Sequence, residues 1–259
     1  MSVYAIGDVQ GCLVSLENLL KLINYKKSDQ LIFLGDIVNR GNNSLETLRF
    51  LKKLNPDVVL GNHDLHTIGV YYGVRKISKS DTIANLTKSP DADSLIHWLK
   101  SKPLFLKKYG HFFVHAGMHP LWSLNQCLNY SEKISYALIK NPEKTLKKIF
   151  NKVIDNKKQP IEQLVVNFFT RVRYLRKNCE LFFKDTNYPS QSTYEIYPWY
   201  KLIKQNLLYP LIFGHWSQLG LNFFKNFICL DSGCVWGGKL TALRIDDYKV
   251  FQVKKSPQD

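Results

Sequence analysis

Short apolar runs that stop on a glycine recur along the chain. Residues 3–6 ("VYAI") run into Gly7-Asp8, 30–34 ("QLIFL") into Gly35-Asp36, and 57–60 ("DVVL") into Gly61-Asn62. Three or four consecutive apolar positions ended by a turn signal predict short buried strands. Between them the period changes. Leu13, Leu16, Leu19, Leu20 and Ile23 repeat at helical spacing over 12–23, and Leu45, Leu48, Leu51 and Leu54 do so over 44–54, with Ser44 as the expected N-cap. Strand and helix alternate, which predicts an α/β layered fold with its polar corners at the C-terminal ends of the strands.

Further along, 91–101 reads as a helix and 111–114 ("HFFV") as a strand that leads into His115. Residues 130–185 are Lys-rich and mainly helical, and 186–199 form a polar loop containing Pro and Tyr. Together they predict a helical cap, 130–199, inserted in one domain spanning 1–259. Strand patterns return at 211–216 ("LIFGHW"), 227–233 ("FICLDSG"), 239–246 and 248–253, the last two joined as a hairpin across Asp246-Asp247. Only the final "KKSPQD" is expected to be disordered.

Composition narrows the class without naming a ligand. An apolar content of 45% over 259 residues supports one well-packed core. No apolar run approaches the ~18–20 residues of a membrane span, and no basic-then-apolar leader opens the chain. The five cysteines are odd in number and form no C-x-x-C pair. Reduced thiols, a cytoplasmic location, no membrane and no obligate protein partner are therefore expected. The net charge of +15 suits a polyanionic partner. Lysines outnumber arginines 29 to 7, as compositional drift also produces, so charge alone identifies nothing.

The corners carry the chemistry. In chain order they hold Asp8, Gln10, Asp36, Asn62, His63, Asp64, His115 and His215. A single Gly-Asp is ordinarily a turn and a single strand-end His a satisfied core residue. This many in one order, each at a strand end, predicts a shared site. The mixed oxygen and imidazole set suits Mn²⁺, Fe, Co²⁺ or Zn²⁺ rather than a thiolate site. Two aspartates and several neutral ligands suffice for two divalent cations bridged by one carboxylate.

With "GDVQG", "GDIVNRG", "GNHD", "HAG" and "GHW" in this order, the chain resembles the calcineurin-like metallophosphoesterases, on their phosphoprotein-phosphatase branch. "SPDADSLIHWLKSKPL" (89–104), "FFTRVRY" (168–174) and "LDSGCVWGGKLTALR" (230–244) extend the resemblance to the symmetrical bis(5′-nucleosyl)-tetraphosphatases. The resemblance implies a sandwich of two mixed β-sheets flanked by helices, and symmetrical hydrolysis of diadenosine tetraphosphate to two ADP by a metal-activated hydroxide. It implies Asp8 and Gln10 on the first ion, Asp36 bridging, and Asn62, His115 and His215 on the second. His63 is implied as the acid for the departing ADP oxygen, oriented by Asp64. Arg40 is implied on phosphate, and Arg171 and Arg173 too, sharing one face of an extended segment. Trp216, Trp236 and Tyr174 are candidates to stack on adenine, although core packing is the expectation for both tryptophans.

Two features depart from the pattern. Protein-phosphatase relatives carry an Asp where this chain has Asn39, which leaves His63 without a charged support. Gln10 stands where imidazole is usual, so the first ion should be held loosely, favouring exchangeable Mn²⁺, with Co²⁺ or Mg²⁺ as alternatives. A Ser/Thr protein phosphatase is the competing enzyme, and a metal-free binding protein the competing non-enzyme. Nucleoside-capped RNA presents the same polyphosphate bridge as the dinucleotide.

Overall fold

A computed structural model describes residues 1–151 and 159–259. The first half contains β1 (Val3–Ile6), α1 (Leu13–Leu22), β2 (Gln30–Phe33), α2 (Ser44–Leu54), β3 (Asp57–Val58) and α3 (Asn62–Tyr71). It continues with α4 (Ala84–Thr87), α5 (Ala92–Lys100), β4 (Phe105–Lys108) and β5 (His111–Val114). The middle holds α6 (Leu124–Lys140), α7 (Pro142–Phe150), α8 (Ile161–Arg171), β6 (Tyr174–Leu175), β7 (Leu181–Phe182) and β8 (Tyr197–Pro198). The last part holds β9 (Leu211–Phe213), β10 (Asn222–Phe224), β11 (Phe227–Cys229), β12 (Lys239–Arg244) and β13 (Lys249–Lys254).

Two mixed sheets face each other, ordered β13-β12-β1-β2-β3 and β10-β11-β9-β5-β4. Within them β1, β2 and β3 run parallel, as do β5, β9 and β11. Alternate residues meet between the sheets: Val3, Ala5, Ile32 and Leu34 from one, Phe113, Ile212 and Ile228 from the other. The opposite faces are covered too, with Tyr4, Ile6, Leu31 and Phe33 packed in one cluster with Leu16 and Leu19 of α1. Strands buried on both faces are apolar at every position, which is why the sequence showed runs rather than alternation.

Helices α6, α7 and α8 contribute Cys127, Leu138, Leu146, Val165 and Phe169 to that same cluster. Helix α6 starts ahead of residue 130 because Ser123 and Gln126 form a capping box, each side chain bonded to the other's backbone N–H. Strands β6–β8 form a small antiparallel sheet where the sequence suggested helix and loop. Part of the lysine-rich stretch 140–160 lies outside the described residues.

Two local expectations are corrected. Ser44 is the first residue of α2 rather than its cap; Asn43 holds the cap position, and Ser44 Oγ accepts the Asn39 N–H at 2.9 Å. The C-terminal residues are ordered. Asp259 accepts hydrogen bonds from Val14 N (3.0 Å), Ser15 N (2.9 Å) and Ser15 Oγ (2.6 Å), and Ser256 N donates to Ser15 Oγ. Cys12, at the cap position of α1, offers no side-chain bond, so a carboxylate distant in sequence satisfies the helix's orphan N–H groups.

Candidate active site

Six parallel strands end at one edge of the sandwich. After β1 come Asp8 and Gln10, after β2 Asp36, after β3 Asn62, after β5 His115, after β9 His215, and after β11 Asp231. The chain turns sharply to bring these side chains inward, and Gln10, Asp36 and His215 take φ of 46°, 46° and 66°. Residues other than glycine are disfavoured there, and local bonds hold them. Gln10 N donates to Asp36 O (2.7 Å), His63 N to Asp36 Oδ1 (2.7 Å), and His215 N to Asp8 Oδ1 (3.1 Å). Gly61 and Gly214 are required for closeness: a side chain at the first would strike the Asp36 carboxylate, at the second that of Asp8.

The donor atoms converge on a cation. Asp36, His115 and His215 bring one ligand atom each to within 4.8 Å of one another. His115 Nε2 lies 3.4 Å from Asp36 Oδ2, 3.2 Å from His215 Nδ1 and 3.2 Å from Asn62 Oδ1. Both imidazoles have their other nitrogen engaged, His115 Nδ1 at the Leu34 carbonyl (2.7 Å) and His215 Nε2 at that of Arg171 (3.2 Å). Backbone carbonyls accept only, so these outward nitrogens carry protons, which leaves the inward nitrogen of each ring as the one able to bind a cation, on His115 once its second proton is displaced. Asn62 likewise turns its carbonyl oxygen to the rings, although its amide reversed would donate to both and to Thr170 O. Ligand atoms converging from three buried side chains, Asp36, His115 and His215, with Asn62 beside them, fit a divalent cation. Asp8 (4% exposed) and Gln10 (6%) line the same cavity of about 90 Å³ and extend the donor set to a second ion.

The charges agree. Burial pushes Asp8 well above the usual carboxylate range, with Asp231 beside it adding to the rise. Burial also raises Asp231, to about 6. Asp36 is buried as well, but His115 and His63 outweigh that cost and lower its pKa. For His115 burial works downward, yet Asp36 and Asp8 dominate and lift it to about 10. His215 is lowered by burial, then by Arg173 and His115. The cluster demands positive charge and offers one imidazole, His215, held in its neutral form.

Other expected residues divide. His63 stands on the cavity wall with Nε2 3.9 Å from Asp36 Oδ2. Burial lowers its pKa, which Asp36 opposes and Arg40 reinforces. Asp64 does not orient it: that carboxylate accepts from Ile37 N (3.0 Å) and Gly61 N (2.9 Å), capping α3 and pinning the Asp36 corner. The group at His63 Nδ1 is Asn39 Nδ2, at 3.1 Å. Arg40 donates to Ser80 O (2.8 Å) and lies 3.7 Å from Asp81, outside the cavity lining. Arg171 ends α8 rather than lying in an extended segment, so it does not share a face with Arg173. Arg173 lines the cavity and donates to His215 O (3.0 Å), whereas Arg171 rests over the Phe183 ring and borders a separate cleft with Arg75 and Asn62.

The aromatic candidates separate as well. Trp216 and Tyr174 are core residues, and Trp216 Nε1 donates to Thr186 O at 3.1 Å. Trp236 is 65% exposed and lines the cavity, contrary to the packing expectation. Sequence reasoning missed Asp231 and Asp81. Asp231 follows the same pattern as the other corners, an apolar run ("FICL") ending in Asp and Gly. Asp81 lies in a polar loop with no such signal.

Two facing mixed sheets with oxygen and imidazole ligands gathered at one edge define a metal-dependent phosphoesterase. Residues 1–185 match the calcineurin-like phosphoesterase family. Two relatives bear the name symmetrical bis(5′-nucleosyl)-tetraphosphatase. One, from Janthinobacterium sp. (strain Marseille), is 39% identical over 98% of this chain and 96% of its own. The other, from Buchnera aphidicola subsp. Baizongia pistaciae, is 38% identical over 97% of each. The chain belongs to this family of symmetrical bis(5′-nucleosyl)-tetraphosphatases. A crystal structure assigned as a diadenosine tetraphosphatase shares the fold, with a TM-score of 0.69 at 24% identity over 98% of this chain and 94% of that one. So does a serine/threonine phosphatase from Saccharomyces cerevisiae, with a TM-score of 0.55 at 14% identity over 100% and 81%.

Proposed function

We propose that this protein hydrolyses diadenosine 5′,5‴-P1,P4-tetraphosphate symmetrically, consuming one water and releasing two ADP. The observation that carries the reading is the convergence of one ligand atom each from Asp36, His115 and His215 beside Asp8 and Gln10. Asp8 and Gln10 would hold one divalent cation, Asn62, His115 and His215 a second, with Asp36 shared. Mn²⁺ is the proposed metal, with Co²⁺ or Mg²⁺ as alternatives, because the first set offers only oxygen. When bound, such cations supply Lewis-acid polarisation of phosphoryl oxygens and acidify water.

The remaining groups act on the polyphosphate. His63 lies beside Asn62, where its ring can hydrogen-bond the departing ADP oxygen. A terminal phosphate has a second pKa of about 6, so that oxygen leaves near neutral pH with little need of a full proton. Arg173, on the cavity wall, pairs with phosphoryl oxygens. Arg40 and Arg171, outside it, neutralise charge further along the chain of phosphates, and segment 130–199, which supplies Arg171 and Arg173, acts as the cap. The open face of Trp236 stacks on adenine. The same open face leaves room for a longer leaving group, so nucleoside-capped RNA is the second substrate to offer. Unpaired cysteines fit a cytoplasmic protein.

The test is product identity by chromatography, with Mn²⁺ and the dinucleotide. Two ADP supports the reading, and ATP plus AMP overturns it. A phosphopeptide dephosphorylated while the dinucleotide stays intact would assign a Ser/Thr protein phosphatase instead.

A further inference from the structure

Asp81 is almost fully buried, with side-chain exposure of 2%, and sits in the loop between α3 and α4. Its Oδ1 accepts from Asn39 Nδ2 (2.9 Å), and its Oδ2 from His66 Nε2 (2.9 Å) and Ser78 N (2.7 Å). Burial opposes its charge, but these bonds hold it well below the usual carboxylate range. It touches none of the cation-ligand candidates, and no part of the proposed reaction has yet used it.

Its bond to Asn39 has a consequence one residue further in. The Asn39 oxygen accepts two backbone N–H groups, from Arg40 (2.8 Å) and Thr82 (3.0 Å). Its nitrogen gives one proton to Asp81. Reversing the amide would set its nitrogen against two donors and its oxygen against a carboxylate, so the orientation is fixed. The second N–H on that nitrogen is left for His63 Nδ1, 3.1 Å away. An imidazole nitrogen that accepts a bond carries no proton, and the proton then resides on the other nitrogen. Here that is Nε2, on the side of Asp36.

We propose that Asp81 is a positioning residue for His63, acting through the Asn39 amide: it fixes that amide so that His63 presents a proton-bearing Nε2 to the site. A neutral amide, and not the carboxylate itself, thus contacts the ring. This suits a leaving ADP better than a leaving serine, since an N–H hydrogen bond serves an oxygen of low basicity. The inference extends the proposed hydrolysis, but its geometry stands independently of the substrate.

The experiment has two parts. In ¹⁵N-histidine spectra of the unliganded protein, His63, assigned by its loss in His63→Ala, is expected to show Nδ1 as the unprotonated nitrogen and Nε2 as the protonated one. In Asp81→Ala the two tautomers should mix. An unchanged His63 signature in Asp81→Ala overturns the proposal. With the dinucleotide and Mn²⁺, Asp81→Ala is expected to lower kcat about 10- to 100-fold with KM nearly unchanged. Asp81→Asn, whose oxygen still accepts from Asn39, should recover most of that loss. Asp81→Ala should have no further effect in a His63→Ala or an Asn39→Leu background. Multiplying effects in those backgrounds overturn the proposal even if the single variant is slow or poorly folded. Failure of the wild type to cleave the dinucleotide would sink the proposed substrate and leave the spectroscopic test in force.

Discussion

His115 Nε2 lies 3.4 Å from Asp36 Oδ2, and both groups are buried at the point where the cation ligands meet. Burial alone would strip the ring of its second proton, but Asp36 and Asp8 raise its pKa to about 10. In the metal-free protein a proton therefore stands in for the cation. Metal uptake must displace it, so affinity is expected to rise about tenfold per pH unit through neutrality. Calorimetric titration with Mn²⁺ at several pH values, in buffers of different ionisation enthalpy, counts the released proton. The same pair stabilises the metal-free fold fully below the unfolded histidine pKa of about 6.5, and that contribution is lost as pH rises towards 10.

Gln10 is buried against the cavity with a neutral oxygen to offer. Gln10→His is expected to slow loss of metal under chelator, measured by metal content against time, because imidazole binds transition metals more firmly than an amide. An unchanged time course would remove residue 10 from the coordination set.

Trp236 and Trp216 make a controlled pair. Trp236→Ala is expected to leave the melting temperature almost unchanged and to raise KM by a factor corresponding to about 1–3 kcal/mol of lost stacking. Trp216 is fully enclosed. Trp216→Ala should instead cost about 3–5 kcal/mol of stability. Equal effects on stability would refute the distinction.

Asp259 caps α1 from the other end of the chain. Asp259→Ala is expected to cost about 0.5–2 kcal/mol. Thermal unfolding of the metal-free protein would show this as a drop of about 2–4 °C per kcal/mol.

Much of this was legible in the sequence for a physical reason. Strands buried on both faces leave apolar runs, and the tight turns behind them need glycine and deliver Asp, Asn or His. That pattern placed Asp8, Asp36, Asn62, His115 and His215 at strand ends, and it also contains Asp231, which is hidden when 227–233 is read as one continuous strand. What stayed hidden depends on distant contacts. The bond from Asp259 to Ser15 spans 244 residues, and that from Asn39 to Asp81 spans 42. Trp216 and Trp236 look alike in sequence, and only packing separates them.

The ligands are sorted by origin. Asp8, Gln10, Asp36 and Asn62 leave one sheet, and His115 and His215 leave the other. A cation bound by both groups is a cross-link between the halves of the sandwich, a removable rivet in the place where other proteins use a covalent bridge. Catalytic cofactor and structural fastener are then one object. A chelating inhibitor of this protein therefore acts as a destabiliser as well, and its potency on activity and on melting temperature should rise together.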